Sequence, residues 1–159
     1  MNPDRLEFFV AGLPAPQGSK KHVGNGVMVE SSKKVKPWRE DVRHGATEAA
    51  CGRVFTGPVF VVLDFRLPQL ASDPHRHQHR TTPDLDKLVR STFDAIVSAG
   101  VLKDDALVYS LVAEKHHARN AQRPGVTIVI YDKTELAAGD RSDSMLTAAL
   151  ARKAARKAS

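Results

Sequence analysis

The 159-residue chain has one cysteine, one tryptophan and two tyrosines. A lone Cys51 excludes an internal disulfide, and without a Cys/His array no closed zinc site is expected. No apolar run approaches the roughly 18 residues that a membrane-spanning helix needs. The opening "MNPDRLEFFVAG" has no charged region followed by a long apolar stretch, so neither insertion nor export is expected and the chain reads as cytoplasmic. It also lacks internal repeats and the length for two comfortable domains, while 42% hydrophobic residues suffice for one core. What is abundant is positive charge: 24 Lys plus Arg against 18 Asp plus Glu give a net +6, which favours a polyanionic partner such as nucleic acid.

The chain reads as alternating elements. "LEFFVAGLP" (6–14) is a short apolar run ended by Gly12 and Pro14, as in a strand. "APQGSKKHVGNG" reads as a basic loop and "VMVES" as a short strand. From Pro37, Trp38, Val42, Ala46 and Ala49 recur at helical spacing, and Gly52 closes that helix. "GPVFVVLDFRLP" (57–68) is the composition of a buried strand, and "QLASDPHRHQHRTTP" has no periodicity and reads as a polar loop. From Asp84, the residues Leu85, Leu88, Val89, Phe93, Ile96 and Val97 form one helical stripe, with Gly100 as the stop. "ALVYSLVAEKHHA" and "GVTIVIYD" are β-rich runs separated by a Pro–Gly turn, which predicts a hairpin or a neighbouring pair of strands. The expectation is a single α/β (α+β) domain over 1–132, with one mixed β-sheet flanked by helices. Residues 133–159 then form a basic tail, partly helical or disordered.

Against the positive background, "PDLDKLV" places Asp84 and Asp86 at a helix start, and "LKDDA" adds Asp104 and Asp105. Acids at a helix start are favoured by capping and by the helix dipole, and an Asp pair in a turn is commonplace. Carboxylates converging from separate elements are also what a hard divalent cation requires in phosphoryl transfer. If Asp84 is the cap and Asp86 lies in the first turn, both can lean toward one point, with the loop ending at Asp105 supplying a third ligand.

The stretch "PDLDKLVRSTFDAIVSAGVLKDDALV" (83–108) resembles the RusA family of Holliday-junction resolvases, whose signature is an Asp-x-Asp-Asn-x-x-Lys run followed, one helix later, by an Asp-Asp pair. "GLPAPQGSKK" and "KKVKPWREDV" look like the opening strand, basic loop and first helix of that family, so the resemblance covers about 5–132. It implies a metal-dependent endodeoxyribonuclease, with Mg²⁺ as cofactor and Mn²⁺ as a substitute. The implied partners are branched DNA, above all four-way junctions, and a second copy in a homodimer that nicks opposite strands in recombination and repair. It assigns Asp84, Asp86 and Asp105 as catalytic metal ligands, with Asp104 as their neighbour. Lys87 stands where the family has Asn, and Arg90 where it has Lys; Arg90 still places a cation four residues from Asp86, for charge stabilisation rather than proton donation. The alternatives are a flap or other branched-DNA nuclease of the same chemistry, and a non-catalytic DNA-binding protein whose acids merely cap a helix.

Lys20, Lys21, Lys33, Lys34 and Lys87, with Lys36 beside them, are candidate phosphate contacts, which would give affinity without reading sequence. The alternating His75, His77 and His79 of "HRHQHR" suit a DNA-facing loop better than a closed metal site. His116 and His117 read as ordinary strand residues, Cys51 as buried or inert, and Trp38 as a core anchor.

Overall fold

The computed structural model describes residues 5–18, 20–22, 28–30, 33–69, 79–119 and 122–132. Of the loop expected at 69–83, residues 70–78 with His75 and His77 lie outside the described residues, as does the tail expected at 133–159.

In chain order the elements are β1 (Arg5–Ala11), β2 (Lys20–His22), β3 (Met28–Glu30), α1 (Val35–Ala50), β4 (Val59–Leu67), α2 (Leu85–Ser98), a 3₁₀ turn (Asp105–Leu107), β5 (Val108–His117) and β6 (Gly125–Asp132). Four strands form one mixed sheet in the order β1-β6-β4-β5, with β6 antiparallel to both neighbours and β4 parallel to β5. β2 and β3 pair separately, so part of the expected basic loop is a two-stranded ribbon.

The expected hairpin between the last two strands does not form, because β4 lies between β5 and β6. β4 alternates Val59, Val61, Leu63, Phe65 and Leu67 on one face, all buried, and such a strand gains most from neighbours on both edges. β4, α2 and β5 make a parallel crossover unit, in which the helix carries the chain back over the sheet. β5, with exposed Tyr109 and Leu111, takes the edge.

Both helices pack on one face of the sheet and share one core. Trp38, Val42 and Ala46 of α1 meet Leu88, Phe93 and Ile96 of α2 over Val10, Leu63, Phe65 and Ile128. Fully burying one side chain of the Leu, Ile or Phe class contributes about 1.5–3 kcal/mol. An Arg39–Asp94 ion pair at 2.5 Å ties the helices together at the surface. On the opposite face no helix covers the sheet among the described residues, and cross-strand contacts shield it instead: Phe60 stacks on Tyr131, and His116 pairs with Asp64 at 3.0 Å.

α1 begins at Val35, two residues before Pro37, whose missing N–H falls in the first turn where no partner is needed. It ends at Cys51 in the left-handed conformation (φ 48°). Cys51 is exposed rather than buried, and its thiol donates to the Glu48 carbonyl at 3.2 Å.

Candidate active site

The strands β1, β4 and β5 point the same way, so Ala11, Leu67 and His117 finish at one end of the sheet. α1 runs back along β1. A Cβ at Gly12 (φ +151°) would stand 2.9 Å from the Asp41 carboxylate and 3.3 Å from the Trp38 ring, so glycine lets the first turn of α1 sit over the strand end. At the other end of α1, the Arg53 guanidinium reaches the Arg5 carbonyl at 3.4 Å. α2 runs back in the same sense, beginning where Lys115 of β5 meets the incoming chain and ending where Val101 pairs with Phe55, ahead of β4. Both helix N-termini therefore open where the parallel strands end, the usual ligand end of an α/β sheet. Their dipoles favour anions there.

The candidate acids and bases divide between the two ends. Asp84 is the N-cap of α2 and Asp86 lies in its first turn, both exposed at the strand-terminus end. Lys33 and Lys34 precede α1 at that same end. The segment after Gly12 crosses to α2: the Gln17 amide donates to the Lys87 carbonyl at 3.0 Å, and the buried Ser91 hydroxyl reaches the Ala15 carbonyl at 2.7 Å. That segment leads into β2, so the backbone carrying Lys20 and Lys21 departs from beside the first turn of α2. Arg90 is exposed one turn along from Asp86.

Asp84 occupies a cap position without capping. Its backbone carbonyl accepts the first helical bond, from the Leu88 amide at 3.1 Å, but its side chain accepts no amide. The carboxylate is half exposed and takes the Lys87 ammonium at 2.7 Å instead. That hydrogen bond, followed by the charge of Lys87, holds the Asp84 carboxyl below its ordinary 3.8, with Lys115 adding a smaller effect. The same contact raises the Lys87 ammonium. Lys87 is thus occupied with Asp84 rather than projecting alone toward solvent.

Asp104 does what the capping reading asks of an acid: its carboxylate accepts the Ala106 amide at 2.8 Å and caps the 3₁₀ turn. Asp105 is exposed, and its carboxylate makes no hydrogen bond or ion pair among the described residues.

Asp105 does not join Asp84 and Asp86 within one chain. The 14 residues of α2 span about 20 Å at roughly 1.5 Å each, and Asp105 lies beyond the helix's far end, just before β5. The strand gives a similar length, since seven steps from Val108 to Lys115 cover about 23 Å. In agreement, no group of three or more His, Cys, Asp and Glu side chains among the described residues could hold a metal ion.

Several polar residues at the strand-terminus end are ones the sequence reading passed over or placed elsewhere. His79 is buried, not DNA-facing, and packs on the buried His117 with ring centroids 4.5 Å apart. Burial first, then the charges of His117 and Lys115, lower the pKa of His79, which keeps the ring neutral near pH 7. Lys115 extends from the helix-facing side of β5 to the carbonyls of Thr81 and Pro83, each at 2.7 Å. A period-2 reading of "LVAEKHH" contains the signal, because it puts Lys115 on the same face as Leu111 and Ala113. No helix among the described residues is long and apolar enough to cross a membrane.

No curated protein matches the sequence. The family described as Endodeoxyribonuclease RusA matches residues 11–131, from the end of β1 to the penultimate residue of β6, so both Asp pairs and the whole crossover unit fall inside it. A match over most of the chain, together with carboxylates set at a basic helix-terminus end, places the protein: the chain belongs to the RusA family of endodeoxyribonucleases.

Proposed function

We propose that the protein is a divalent-metal-dependent resolvase, which as a homodimer nicks opposite strands of a four-way DNA junction in recombination and repair. The observation that carries the reading is the gathering, at one end of the sheet, of an unused cap carboxylate on Asp84, Asp86, two helix N-termini and the lysine-bearing segments. The Asp84 carboxylate binds Lys87 and caps no helix amide, so capping does not account for an acid at this position, which weighs against a non-catalytic DNA-binding protein.

The donor set fits Mg²⁺, a hard cation that binds through a few carboxylates and retains water, with Mn²⁺ as substitute. Asp84 and Asp86 of one subunit would hold it, completed by Asp105 of the partner subunit, because one chain keeps these acids about 20 Å apart. When bound, the cation supplies charge neutralisation at the scissile phosphate and lowers the pKa of a coordinated water. Lys20, Lys21, Lys33 and Lys34 hold the phosphate backbone and bring affinity without sequence reading. Lys87 exchanges its partner, from the Asp84 carboxylate to a phosphate or to water; an exposed pair of this kind is weak, so the exchange is cheap. Arg90, a permanent cation one turn from Asp86, offsets charge developing on the phosphate oxygens and donates no proton.

A two-fold dimer sharing carboxylates in this way has two equivalent sites, one for each nicked strand. The test is incubation with Mg²⁺ and end-labelled four-way, flap and linear duplex DNA. Symmetrically placed nicks in opposite strands of the four-way junction are expected. Preferred cutting of flaps would move the assignment to a branched-DNA nuclease of the same chemistry, and binding without cutting to a non-catalytic protein.

A further inference from the structure

We infer that Lys115 is a positioning residue for the carboxylates of Asp84 and Asp86: its ammonium clamps the strap of chain, residues 79–83, that delivers them to the N-terminus of α2. The inference rests on the resolvase reading for its purpose but not for its geometry.

β5 alternates sides along its length, and Leu111, Ala113, Lys115 and His117 share the face that the helices cover. The Lys115 side chain is partly buried there, and the hydration its ammonium gives up is replaced by protein partners. Its partners here are the Thr81 and Pro83 carbonyls, both at 2.7 Å, short charge-assisted bonds from one ammonium. Two carbonyls two residues apart converge on one donor only if the intervening backbone keeps one shape. The start of the strap is pinned as well. The Nδ1–H of His79 donates to the Thr81 carbonyl at 3.1 Å, and its ring packs on His117, whose own Nδ1 lies 3.1 Å from the Pro68 carbonyl. The strap is thus tied to β5 through Lys115 and His117, and to the end of β4 through Pro68. Asp84 follows at once in an extended conformation (φ −68°, ψ 138°), its carboxylate bonded to no helix amide. Residues that orient metal ligands without touching the metal commonly change metal affinity or activity by 10–100-fold when removed.

The experiment compares wild type with Lys115→Met, which keeps the stem and removes the donors; Lys115→Arg, which can still serve two carbonyls; and Lys115→Gln, which keeps a shorter donor. In the metal-free proteins, amide hydrogen exchange is followed for peptides covering 79–86 and, as a control, β6. Mn²⁺ binding is followed by the loss of its free electron-spin signal, and junction affinity is measured without metal. Lys115→Met is expected to speed exchange in 79–86 about tenfold with β6 unchanged, to weaken Mn²⁺ binding about tenfold, and to leave metal-free junction affinity within about threefold. Arg should restore exchange and Mn²⁺ binding to within about threefold of wild type, and Gln should fall between; those two carry the comparison if Met does not fold. Wild-type exchange and Mn²⁺ binding in the Met and Gln variants would overturn the inference. So would faster exchange spread equally over β6, which marks a general stabiliser. Lost junction affinity with unchanged exchange would do the same, since it marks a direct phosphate contact. If wild type neither binds Mn²⁺ nor cuts DNA, the resolvase reading fails, and the exchange comparison still decides whether Lys115 holds the strap.

Discussion

Replacing Asp84 by Ala, which cannot cap, separates a functional carboxylate from a structural one. An Asp that caps its helix, when removed, shifts the melting temperature of a chain this size by about 2–4 °C. Asp84 makes no cap bond, and its side-chain partner among the described residues, Lys87, is half exposed, so Asp84→Ala is expected to melt within about 1 °C of wild type. Single-turnover cleavage of a four-way junction under saturating metal should fall on the order of 10² or more, the scale for losing one group that stabilises the transition state. Metal-free junction binding should persist or tighten slightly, because a negative charge leaves the phosphate-facing end. The pH dependence follows from the lowered Asp84 carboxyl. A depressed folded-state pKa contributes stability that is present above the ordinary 3.8 and is lost only as pH falls through the lowered value. Asp84 therefore gives no titration step between pH 5 and 8 in either stability or rate. A variant that melts several degrees lower and still cuts at the wild-type rate would refute the reasoning and return Asp84 to the role of cap.

Arg90→Lys should keep substantial cleavage, since a cation still reaches the phosphate, whereas Arg90→Ala should lose on the order of 10² in single-turnover rate; parental cutting by the Ala variant would take Arg90 out of the site. Replacing Lys33 and Lys34 together by Gln should lower the salt dependence of junction binding by about 0.9 per lost phosphate contact, so a slope reduced by roughly 2 is expected and an unchanged slope would place both lysines off the DNA. His79 has a lowered folded-state pKa, so between that value and its ordinary 6.5 the unfolded chain binds more protons and stability falls as pH is lowered from neutral. The facing groups are His117, Lys115 and the Thr81 carbonyl. Denaturation midpoints at pH 7 and pH 5 should differ more for wild type than for His79→Gln, and equal differences would remove His79 as the cause.

The helices were legible because their signals are local. The stripe of Leu88, Phe93 and Ile96 fixed the buried face of α2, and Asp84 was identified as its cap. β4, β5 and β6 each fall within the stretch that apolar composition marked, and β1 begins one residue before its own. Their order was not legible, since insertion of β6 between β1 and β4 depends on which partner best covers β4, and a Pro–Gly turn after β5 suggests adjacency that the sheet does not use. Asp84, Asp86 and Asp105 were picked out by spacing, but spacing along the chain does not convey that a straight helix of 14 residues holds its ends about 20 Å apart. The resemblance separates Asp105 from Asp104, and the coordinates add a physical difference, since the Asp104 carboxylate caps a turn. Lys115 was missed because a lysine in a strand is ordinarily read as solvent-facing, while its register with Phe65 puts it on the core side.

The shared site is tested most directly by mixing two inactive proteins. Asp84→Asn and Asp105→Asn, co-expressed with different tags and purified through both tags, give a heterodimer. If each site takes Asp84 and Asp86 from one subunit and Asp105 from the other, that heterodimer has one doubly defective site and one intact site. It should recover about half the wild-type nicking per dimer, as single unpaired nicks, and a freely exchanging mixture should recover about a quarter. If all three carboxylates serve within one chain, every site carries a lesion, and a heterodimer that binds junctions but stays as inactive as its parents would contradict the shared site.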